Sequence, residues 1–327
     1  MICHSRQSDT CNTPPMVGNS ADDQQIEPSI LKPGKFDLET RHLILDFLGL
    51  YPPCSCEYSF VNLFCWQNLY RYSWFLYEDR LVIHDDRSQA LFMPLGDDFE
   101  PEALFSLSKK AVAAGLSGNI GLVPESYVAI WQDLDRYFSI TSDRDAAEYV
   151  YLAEALTGLK GSKLHKKKNL ISQFKREYPD YSLVPMNEDN CKEVMQFEKR
   201  LLAGMPSMPR SLVEESDAMA MAFSHWNDLG LSGLILRVKD EIAAFAVFSP
   251  LSPDTWDVHF EKSDVAFKGG SQMINYETAK FLKGTARYIN REQDLGIPGL
   301  RQAKLSYAPY ALIEPYFLVP KLELRTH

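Results

Sequence analysis

One short stretch, residues 288–310, concentrates side chains that can bind charge. It reads YINREQDLGIPGLRQAKLSYAPY and arranges cations, acids and tyrosines around a Gly-Ile-Pro-Gly turn. Short apolar runs separate the polar residues, so the stretch lacks the periodicity of an ordinary core element or surface helix. This pattern is typical of a pocket for a charged ligand. Its chemically capable residues are Asn290, Arg291, Glu292, Asp294, Arg301, Lys304, Tyr307 and Tyr310.

Two further polar residues lie on a predicted strand at residues 256–261. His259 and Glu261 occupy alternate positions, which predicts that they share one face of the sheet. Either side chain can act as a general base for an acceptor amine or hydroxyl if it is partly desolvated. Two simpler interpretations stay open: an ion pair between Glu261 and a nearby cation, and a packed or hydrogen-bonded His259.

The three cations of the stretch are Arg291, Arg301 and Lys304. They can bind donor phosphates or stabilise an oxyanion, and the guanidinium group suits bidentate contact. Arg301 and Lys304 lie three positions apart on a predicted helix, so they are neighbours on its surface. Glu292 and Asp294 either position these cations or recognise the amino group of an aminoacyl donor. The alternative is a salt-bridge network that locks the short helix to the sheet.

The uncharged polar residues have supporting roles in this hypothesis. Asn290 is expected to cap or bridge the turn. Tyr307 and Tyr310 can close the pocket, and Tyr307 can donate a proton to a leaving group. Aromatic packing in the core explains both tyrosines equally well.

The most basic segment of the chain is residues 159–178, LKGSKLHKKKNLISQFKREY. Its apolar residues can face a core, while lysines and arginines cover the rest of a predicted helix. One interpretation is a solvated helix that bridges two domains. The other is a platform for phosphate groups, in which residues 160–176 contact a tRNA acceptor end or a coenzyme pyrophosphate, with Lys163 and Lys167 among the binding residues. Nucleic-acid affinity of this kind falls steeply with salt.

Composition restricts the partners of the molecule. The 327 residues are 45% hydrophobic and 12% aromatic, as in a globular protein with a substantial core. The net charge of −10 repels nucleic acid and anionic membranes unless a local basic patch overrides it. No stretch approaches the roughly 18 to 20 apolar residues that span a bilayer, and the first residues do not form a signal peptide. We therefore expect a soluble, cytoplasmic protein without a transmembrane segment.

The six cysteines do not form a disulfide framework. Cys54 and Cys56 are separated by one residue, which is too close for the usual two-residue metal knuckle. No second Cys/His pair lies near them in the sequence. Reduced, half-buried thiols and no metal site are therefore expected.

The predicted elements divide the chain into two similar halves. Residues 1–34 are polar and poor in large apolar groups, which predicts a disordered tail. Each half then contains a hairpin, a third strand, a helix, a further strand and a short helix. The hairpin patterns are at residues 72–84 and 234–248. This order predicts an α/β (α+β) protein with mixed sheets covered by helices.

The same order, with glycines between the third strand and its helix, resembles the GNAT acyltransferase fold. In that fold the glycine-rich turn leaves backbone N–H groups free to hold a pyrophosphate at a helix N-terminus. The matching turn here is a degenerate form of the GNAT glycine signature. The resemblance implies that cofactor-binding residues are Lys268, Gly269, Gly270 and Ser271.

Five motifs resemble a family of domains of unknown function that is grouped with the C-terminal domain of phosphatidylglycerol lysyltransferases. They are Tyr149-Val-Tyr, Leu156-Thr-Gly, Lys163-Leu-His-Lys-Lys-Lys-Asn, His259-Phe-Glu-Lys and Asn290-Arg-Glu-Gln-Asp-Leu-Gly-Ile-Pro-Gly-Leu-Arg. The resemblance spans nearly everything from about Phe36 onward, and residues 290–310 are its most specific part.

This resemblance implies two fused GNAT-like acyl-CoA N-acyltransferase domains. The expected domains are residues 35–158 and 179–327, joined by a basic linker helix at residues 159–178, with the active site in the second domain. The better-known relatives, the lipid lysyltransferases and Fem-type peptidyltransferases, take an aminoacyl group from charged tRNA. We expect no counterpart of the membrane-embedded half of the lipid enzymes, and this expectation counts against a phospholipid acceptor.

Two functions of different classes follow. The first is an acyltransferase that moves an aminoacyl group from aminoacyl-tRNA, or an acyl group from acyl-CoA, to a small-molecule, peptide or lipid acceptor without a metal. The second is a non-catalytic module that binds a small anionic or amino-acid-like ligand, which the degenerate glycine turn favours. An open or a plugged groove at Lys268, Gly269 and Gly270 discriminates between them. The first half, which has no glycine-rich turn after Gly96, is expected to be structural.

Overall fold

The computed structural model describes residues 33–53, 55–97, 99–204 and 209–322. The predicted tail, apart from its last two residues, and Cys54 lie outside the described residues. None of the helices in the described ranges is long and apolar enough to cross a membrane.

The first part of the chain, up to residue 152, alternates short strands with helices. Its helices are α1 (Arg41–Leu50), α2 (Phe60–Tyr70), α3 (Pro101–Ala113) and α4 (Glu125–Ile130). Its strands are β1 (Ser73–Tyr77), β2 (Arg80–Asp85), β3 (Ala90–Phe92), β4 (Ile120–Val123), β5 (Phe138–Ser142) and β6 (Glu148–Leu152).

The second part has longer strands and more helices. Its helices are α5 (Ala153–Gly158), α6 (His165–Glu177), α7 (Glu188–Ala203), α8 (Arg210–Ser224), α9 (Gly270–Leu282) and α10 (Pro298–Leu305). Its strands are β7 (Tyr181–Pro185), β8 (Ser232–Val238), β9 (Glu241–Ser252), β10 (Thr255–Ser263), β11 (Tyr288–Gln293), β12 (Ala311–Ile313) and β13 (Tyr316–Pro320).

Both predicted hairpins are present, and their turns have a clear local cause. Glu78 and Asp79, between β1 and β2, are both left-handed, with φ of 47° and 60°. Lys239, between β8 and β9, is also left-handed, with φ of 55°. Tight turns of this kind match the twist of the antiparallel strands that they join.

The strands form two mixed sheets. The six-stranded sheet has the order β1-β2-β3-β4-β13-β5, and the seven-stranded sheet has the order β12-β6-β11-β10-β9-β8-β7. Each contains one parallel pair, β3 with β4 and β10 with β11. A mixed α/β architecture is therefore confirmed.

The two sheets exchange strands, which the sequence did not indicate. β6 precedes the predicted boundary at residue 158, yet it pairs with β11 and β12 in the seven-stranded sheet. β13 lies within the bounds of the predicted second domain, yet it is between β4 and β5 in the six-stranded sheet. The predicted contiguous domains, 35–158 and 179–327, therefore do not coincide with the sheets.

Three hydrophobic cores hold the layers together. The largest lies between the two parts of the chain and joins α2 to the face of the seven-stranded sheet that carries Phe245 and Phe260. The second packs α5, α6 and α9 against the opposite face, which carries Phe248. The third fills the six-stranded sheet beneath α3 and includes Leu318 of β13.

The basic helix α6 is an integral layer of the second half rather than a separate linker. Leu164, Ile171 and Phe174 are buried in the same core as Met273 and Ile274 of α9. The lysines at positions 163, 166 and 168 remain exposed. The amphipathic pattern of the segment thus anchors α6 to the sheet and turns its charge outward.

Candidate active site

The parallel strands β10 and β11 separate in the middle of the seven-stranded sheet. They pair only from Thr255 to Asp257 on β10 and from Tyr288 to Asn290 on β11, although both strands continue. We call the region beyond Asp257 and Asn290 the strand gap. Polar side chains from β10, β11, α6 and α10 converge on it.

An ion pair spans the strand gap. Arg291 of β11 donates to Oε1 of Glu261 of β10 at 2.8 Å, and both side chains are largely buried. The guanidinium carbon lies 5.8 Å from the ring centre of Tyr151 and 5.3 Å from that of Tyr307. Oε2 of Glu261 has no hydrogen-bond partner among the described residues. The predicted ion-pair interpretation is therefore correct for one carboxylate oxygen and leaves the other available.

Tyr307 lies beside this pair with its hydroxyl group unused. The side chain is 5% exposed, and its hydroxyl has no hydrogen-bond partner in the described part of the chain. Burial raises the pKa of Tyr307, so the phenol stays protonated. Lys167 of α6 places Nζ 4.2 Å from the centre of the ring. Burial, together with Arg291, lowers the pKa of Lys167.

Lys304 of α10 reaches the same strand gap from below β11. Its Nζ donates to the carbonyl oxygens of Arg291 and Gln293. These carbonyls are accessible because the pairing of β11 with β6 shifts register between Asn290 and Gln293, where Glu292 is left-handed with φ of 53°. Burial, and then the charge of Arg291, lowers the pKa of Lys304 to about 8.

Arg301 and Asp294 form a structural salt bridge instead of a ligand site. Asp294 is fully buried and accepts hydrogen bonds from Arg301, from the hydroxyl of Tyr149 and from the N–H of Gly296. Arg301 also pairs with Asp145. The hydrogen bonds from Arg301, ahead of all other causes, lower the pKa of Asp294. These contacts bear out the salt-bridge alternative for the two residues and leave no free carboxylate oxygen on Asp294 for a donor amino group.

His259 does not share a face with Glu261, so that prediction is wrong. The pairing of β10 with β9 shifts register between Val258 and Phe260, as in a β-bulge. Val258 and Phe260 consequently belong to opposite cores. His259 faces α2, where its ring contacts Oδ1 of Asn62 at 3.1 Å and Oγ of Ser249 at 2.8 Å.

Four buried or half-buried carboxylates gather on that α2 side of the sheet. We call Glu57, Glu148, Asp257 and Glu292 the acidic cluster. Burial, and then Glu148, raises the pKa of Glu57 to about 8. Burial is also the main reason that the pKa values of Glu148 and Asp257 are raised.

Asn290 connects the acidic cluster to the turn after β11. Its side-chain amide donates to Glu148, and its Oδ1 accepts the N–H of Glu292 at 2.9 Å. Glu148 in turn accepts from the hydroxyl of Ser55 and from the N–H of Cys56. The fully buried Asn290 is thus a bridge between β11 and the segment before α2.

The glycine turn before α9 is covered by protein. Gly269 is left-handed with φ of 87°, and a Cβ there would lie 2.8 Å from the carbonyl oxygen of Leu170 on α6. The N–H of Gly270 donates to the carbonyl of Phe267. Close packing of α6 accounts for Gly269, whereas a Cβ at Gly270 would make only ordinary contacts of 3.7 Å or more. Lys268 and Ser271 flank this contact.

Lys163 lies away from the glycine turn, on the exposed surface before α6. A depression in this region is lined by residues 158–162, His165 and Lys168. Lys167, on the same helix, contacts the ring of Tyr307 instead. Basic residues of this segment therefore lie both at the depression and at the strand gap.

Several residues around the strand gap were not singled out from the sequence. Asp257 had a usable signal, because it continues the alternation of His259 and Glu261 along β10. Glu148 is an acid at the start of an otherwise apolar strand. Asn62 had no signal, and Cys56 was considered only together with Cys54, since the approach of both residues to β10 and β11 depends on the packing of α2.

Comparison with protein families matches residues 49–319 to the family described as phosphatidylglycerol lysyltransferase, C-terminal. An uncharacterized protein of Mycoplasmoides gallisepticum is 22% identical over 175 residues, which cover 53% of this chain and 56% of that protein. The chain thus spans little more than half the length of this curated relative.

Three solved structures are similar to the chain. A conserved protein of unknown function from Bacteroides thetaiotaomicron has 33% identity and a TM-score of 0.81, covering 89% of this chain and all of that one. FemX has 10% identity and a TM-score of 0.60, with coverages of 89% and 97%. The C-terminal domain of a putative lysylphosphatidylglycerol synthetase from Agrobacterium fabrum has 12% identity and a TM-score of 0.57, with coverages of 85% and 92%. The predicted GNAT-like fold and the predicted family resemblance are both confirmed.

Proposed function

Because this chain belongs to the phosphatidylglycerol lysyltransferase C-terminal family, we propose that it transfers an aminoacyl group from aminoacyl-tRNA to an amine or hydroxyl acceptor. The observation that carries the proposal is the pair of unused groups beside Arg291. Oε2 of Glu261 and the hydroxyl of Tyr307 are both buried without a hydrogen-bond partner among the described residues. Buried polar groups are normally hydrogen-bonded. Two buried groups without partners on either side of Arg291 therefore indicate the position of a substrate.

These groups suit the proton transfers of acyl transfer. Glu261 accepts a proton from the acceptor as its nitrogen or oxygen adds to the ester carbonyl of the donor. Arg291 stabilises the oxyanion. Collapse breaks the ester C–O bond, and Tyr307 protonates the departing ribose oxygen, which leaves as a hydroxyl group. Exchange with solvent then removes the proton from Glu261 and restores that of Tyr307.

Two features favour a tRNA donor over acyl-CoA. The turn at Gly269 and Gly270, which the GNAT resemblance assigns to a pyrophosphate, is in close contact with α6 at Gly269, and this covering of the turn also counts toward the non-catalytic binding module. Lys167 of α6 lies 4.2 Å from the ring centre of Tyr307. A tRNA acceptor end can place its phosphates on the lysines of α6 and its ester at the strand gap. The name of the matched family, a lysyltransferase, agrees with an aminoacyl donor.

The test is donor binding and transfer, measured separately. We expect charged tRNA to bind at low salt and acetyl-CoA not to bind, with tRNA affinity falling as salt rises. Transfer of a labelled aminoacyl group to a panel of amine, hydroxyl, peptide and lipid acceptors then identifies the acceptor. Glu261→Gln and Tyr307→Phe should each lower the transfer rate by about 10²- to 10⁴-fold, the usual contribution of a general acid or base.

Tyr310→Phe is the matched control for Tyr307→Phe, since Tyr310 is 47% exposed and packs on Tyr288. It should leave the rate unchanged. Absence of binding to both donors at low salt would refute the transferase. Binding of an aminoacyl ligand with no transfer to any acceptor would instead support the non-catalytic binding module.

A further inference from the structure

We propose that Cys56, Asp257 and Glu292 bind a divalent transition-metal ion, with zinc as the preferred metal. The sulfur of Cys56 and one carboxylate oxygen from each acid all lie within 4.8 Å of one another. This site lies on the α2 side of the strand gap and is separate from the Glu261 and Arg291 pair.

The three ligands come from rigid, converging elements. Asp257 is the last residue of β10 that pairs with β11, and Glu292 follows two residues after its partner Asn290. Cys56 begins a short 3-10 helix whose first N–H is fixed by Glu148. Ligand atoms around tetrahedral zinc are separated by roughly 3.4 to 3.8 Å, given bond lengths of about 2.0 to 2.3 Å. Side-chain rotations that contract the triangle by about 1 Å are enough to complete the site.

Asp257 provides independent support for a ligand at this position. Its side chain is fully buried, and neither carboxylate oxygen has a hydrogen-bond partner among the described residues. Among the described residues, the basic side chain within 4 Å of this carboxylate is His259, whose Nδ1 lies 3.3 Å from Oδ2. A buried carboxylate without hydrogen bonds is costly unless a charge of opposite sign compensates for it.

The surrounding charges also favour a dication. Two further acids adjoin the ligands: Glu57 follows Cys56 directly in the chain, and Glu148 accepts the backbone N–H of Cys56. The ammonium of Lys304 is bonded to two backbone carbonyls and forms no ion pair with these acids among the described residues. A bound Zn²⁺ would neutralise two of the negative charges and would displace the thiol proton to solvent.

The neighbouring side chains resemble the outer shell of a metal site. The ring of His259 is fixed between Ser249 and Asn62 and approaches Asp257 and Glu292 at 3.3 and 3.7 Å. Such contacts orient carboxylate ligands. The Glu292 side chain is 25% exposed, which gives an ion a route of entry.

The thiol decides the class of metal. Sulfur ligands select zinc and related transition metals, whereas Mg²⁺ and Ca²⁺ prefer oxygen-only sites. Gln293 donates to the Cys56 sulfur at 3.7 Å, an interaction that strengthens when the sulfur is a thiolate. Three protein ligands leave a fourth position of zinc open to water or to a substrate oxygen.

The experiment titrates the full chain, stripped of metal by a chelator, with Zn²⁺ and with Co²⁺ as the spectroscopic probe. We expect one ion per chain, a thiolate-to-cobalt charge-transfer band, and a thermal midpoint that rises with Zn²⁺. Cys56→Ser should abolish the band, and Glu292→Gln should weaken Zn²⁺ binding by at least about 100-fold, more than the usual loss of an outer-shell partner. His259→Gln should weaken it by about 10- to 100-fold while retaining the band.

Cys191→Ser is the matched control, because this buried thiol lies on α7 and bonds to Asn187. It should bind one Zn²⁺ with the affinity of the unaltered chain. Binding that is unchanged by Cys56→Ser and by Glu292→Gln, or no binding at all, would overturn the proposal. So would displacement of Zn²⁺ by a simple alkylammonium ion, which would identify the acidic cluster as an amine site. Metal affinity is measured without turnover, so this result and that of the transfer assay are independent.

Discussion

Lys304 has a buried ammonium group whose two oxygen partners are backbone carbonyls of β11. The residue is only 8% exposed, and its pKa is lowered from 10.5 to about 8. The unfolded chain therefore binds one more proton than the folded chain between about pH 8 and 10.5. The free energy of unfolding therefore rises with pH in that window. Below about pH 8, Lys304 is charged in the folded chain and the full cost of burying its charge lowers the stability.

Lys304→Met should remove this pH-dependent rise. The difference between pKa values of 10.5 and about 8 corresponds to an effect on the order of 3 kcal/mol across the window. Urea unfolding of both proteins at intervals from pH 7 to 10.5 measures it. Lys199→Met, an exposed position on α7, is the control and should follow the unaltered chain. Parallel curves for Lys304→Met and the unaltered chain would contradict the assignment.

The roles of the charged residues were only partly predictable. The sequence showed that Arg301 and Asp294 are charged and close, and it allowed both a salt bridge and a ligand site. The partners that decide between these, Asp145 and Tyr149, come about 150 residues earlier in the chain. Residue spacing carries no information about such contacts. Glu261 and Arg291 were recognised as candidates because their types alone suit the chemistry.

At the scale of elements, local pattern predicted both hairpins and the helices that carry Arg301 and the basic segment. These helices are α10 and α6, and the hairpin predicted at residues 234–248 is β8 and β9. The bulge at His259 was not predictable, because it depends on how β10 pairs with β9. A single register shift moved His259 away from Glu261, to the other side of the sheet.

The glycine turn before α9 leads to a test of the packing of α6. Gly269→Ala should destabilise the protein more than Gly115→Ala. Both glycines are left-handed, with φ of 87° and 81°, and each substitution should cost about 1 kcal/mol through backbone strain. Only the alanine at 269 also meets the carbonyl of Leu170, at 2.8 Å, while the position at 115 is open. Overpacking should add about 1 to 3 kcal/mol, measured as the free energy of unfolding in urea.

Equal costs for the two substitutions would show that α6 does not press on the turn. The backbone at Gly269 and Gly270 would then be free to hold a pyrophosphate, and acyl-CoA would regain its place as a donor. The comparison therefore tests the packing on which the choice of a tRNA donor rests.

At the scale of the whole molecule, the exchange of strands between the two sheets could not be predicted from the sequence. Both β6 and β13 have the length and apolar content of ordinary strands, and their residues do not indicate which strand each one pairs with. The prediction followed the usual expectation that consecutive elements are neighbours. Instead, β6 leaves the first sheet and β13 returns to it after the second sheet is complete. Neither sheet can open alone without losing a strand that the other part of the chain supplies.

We therefore expect the two sheets to unfold together. Leu318→Ala on β13 removes a fully buried side chain from the core beneath α3 and should cost about 2 to 5 kcal/mol. Only two residues separate β12 from β13, so the two sheets are closely linked in the chain. We therefore expect the free energy of opening, measured by hydrogen exchange, to fall in β4 and β5 and to fall by the same amount in β10 and β11. Val319→Ala, next on the same strand but 41% exposed, should change protection in neither sheet. A loss of protection confined to the six-stranded sheet would show that the two sheets are independent stability units despite the exchange.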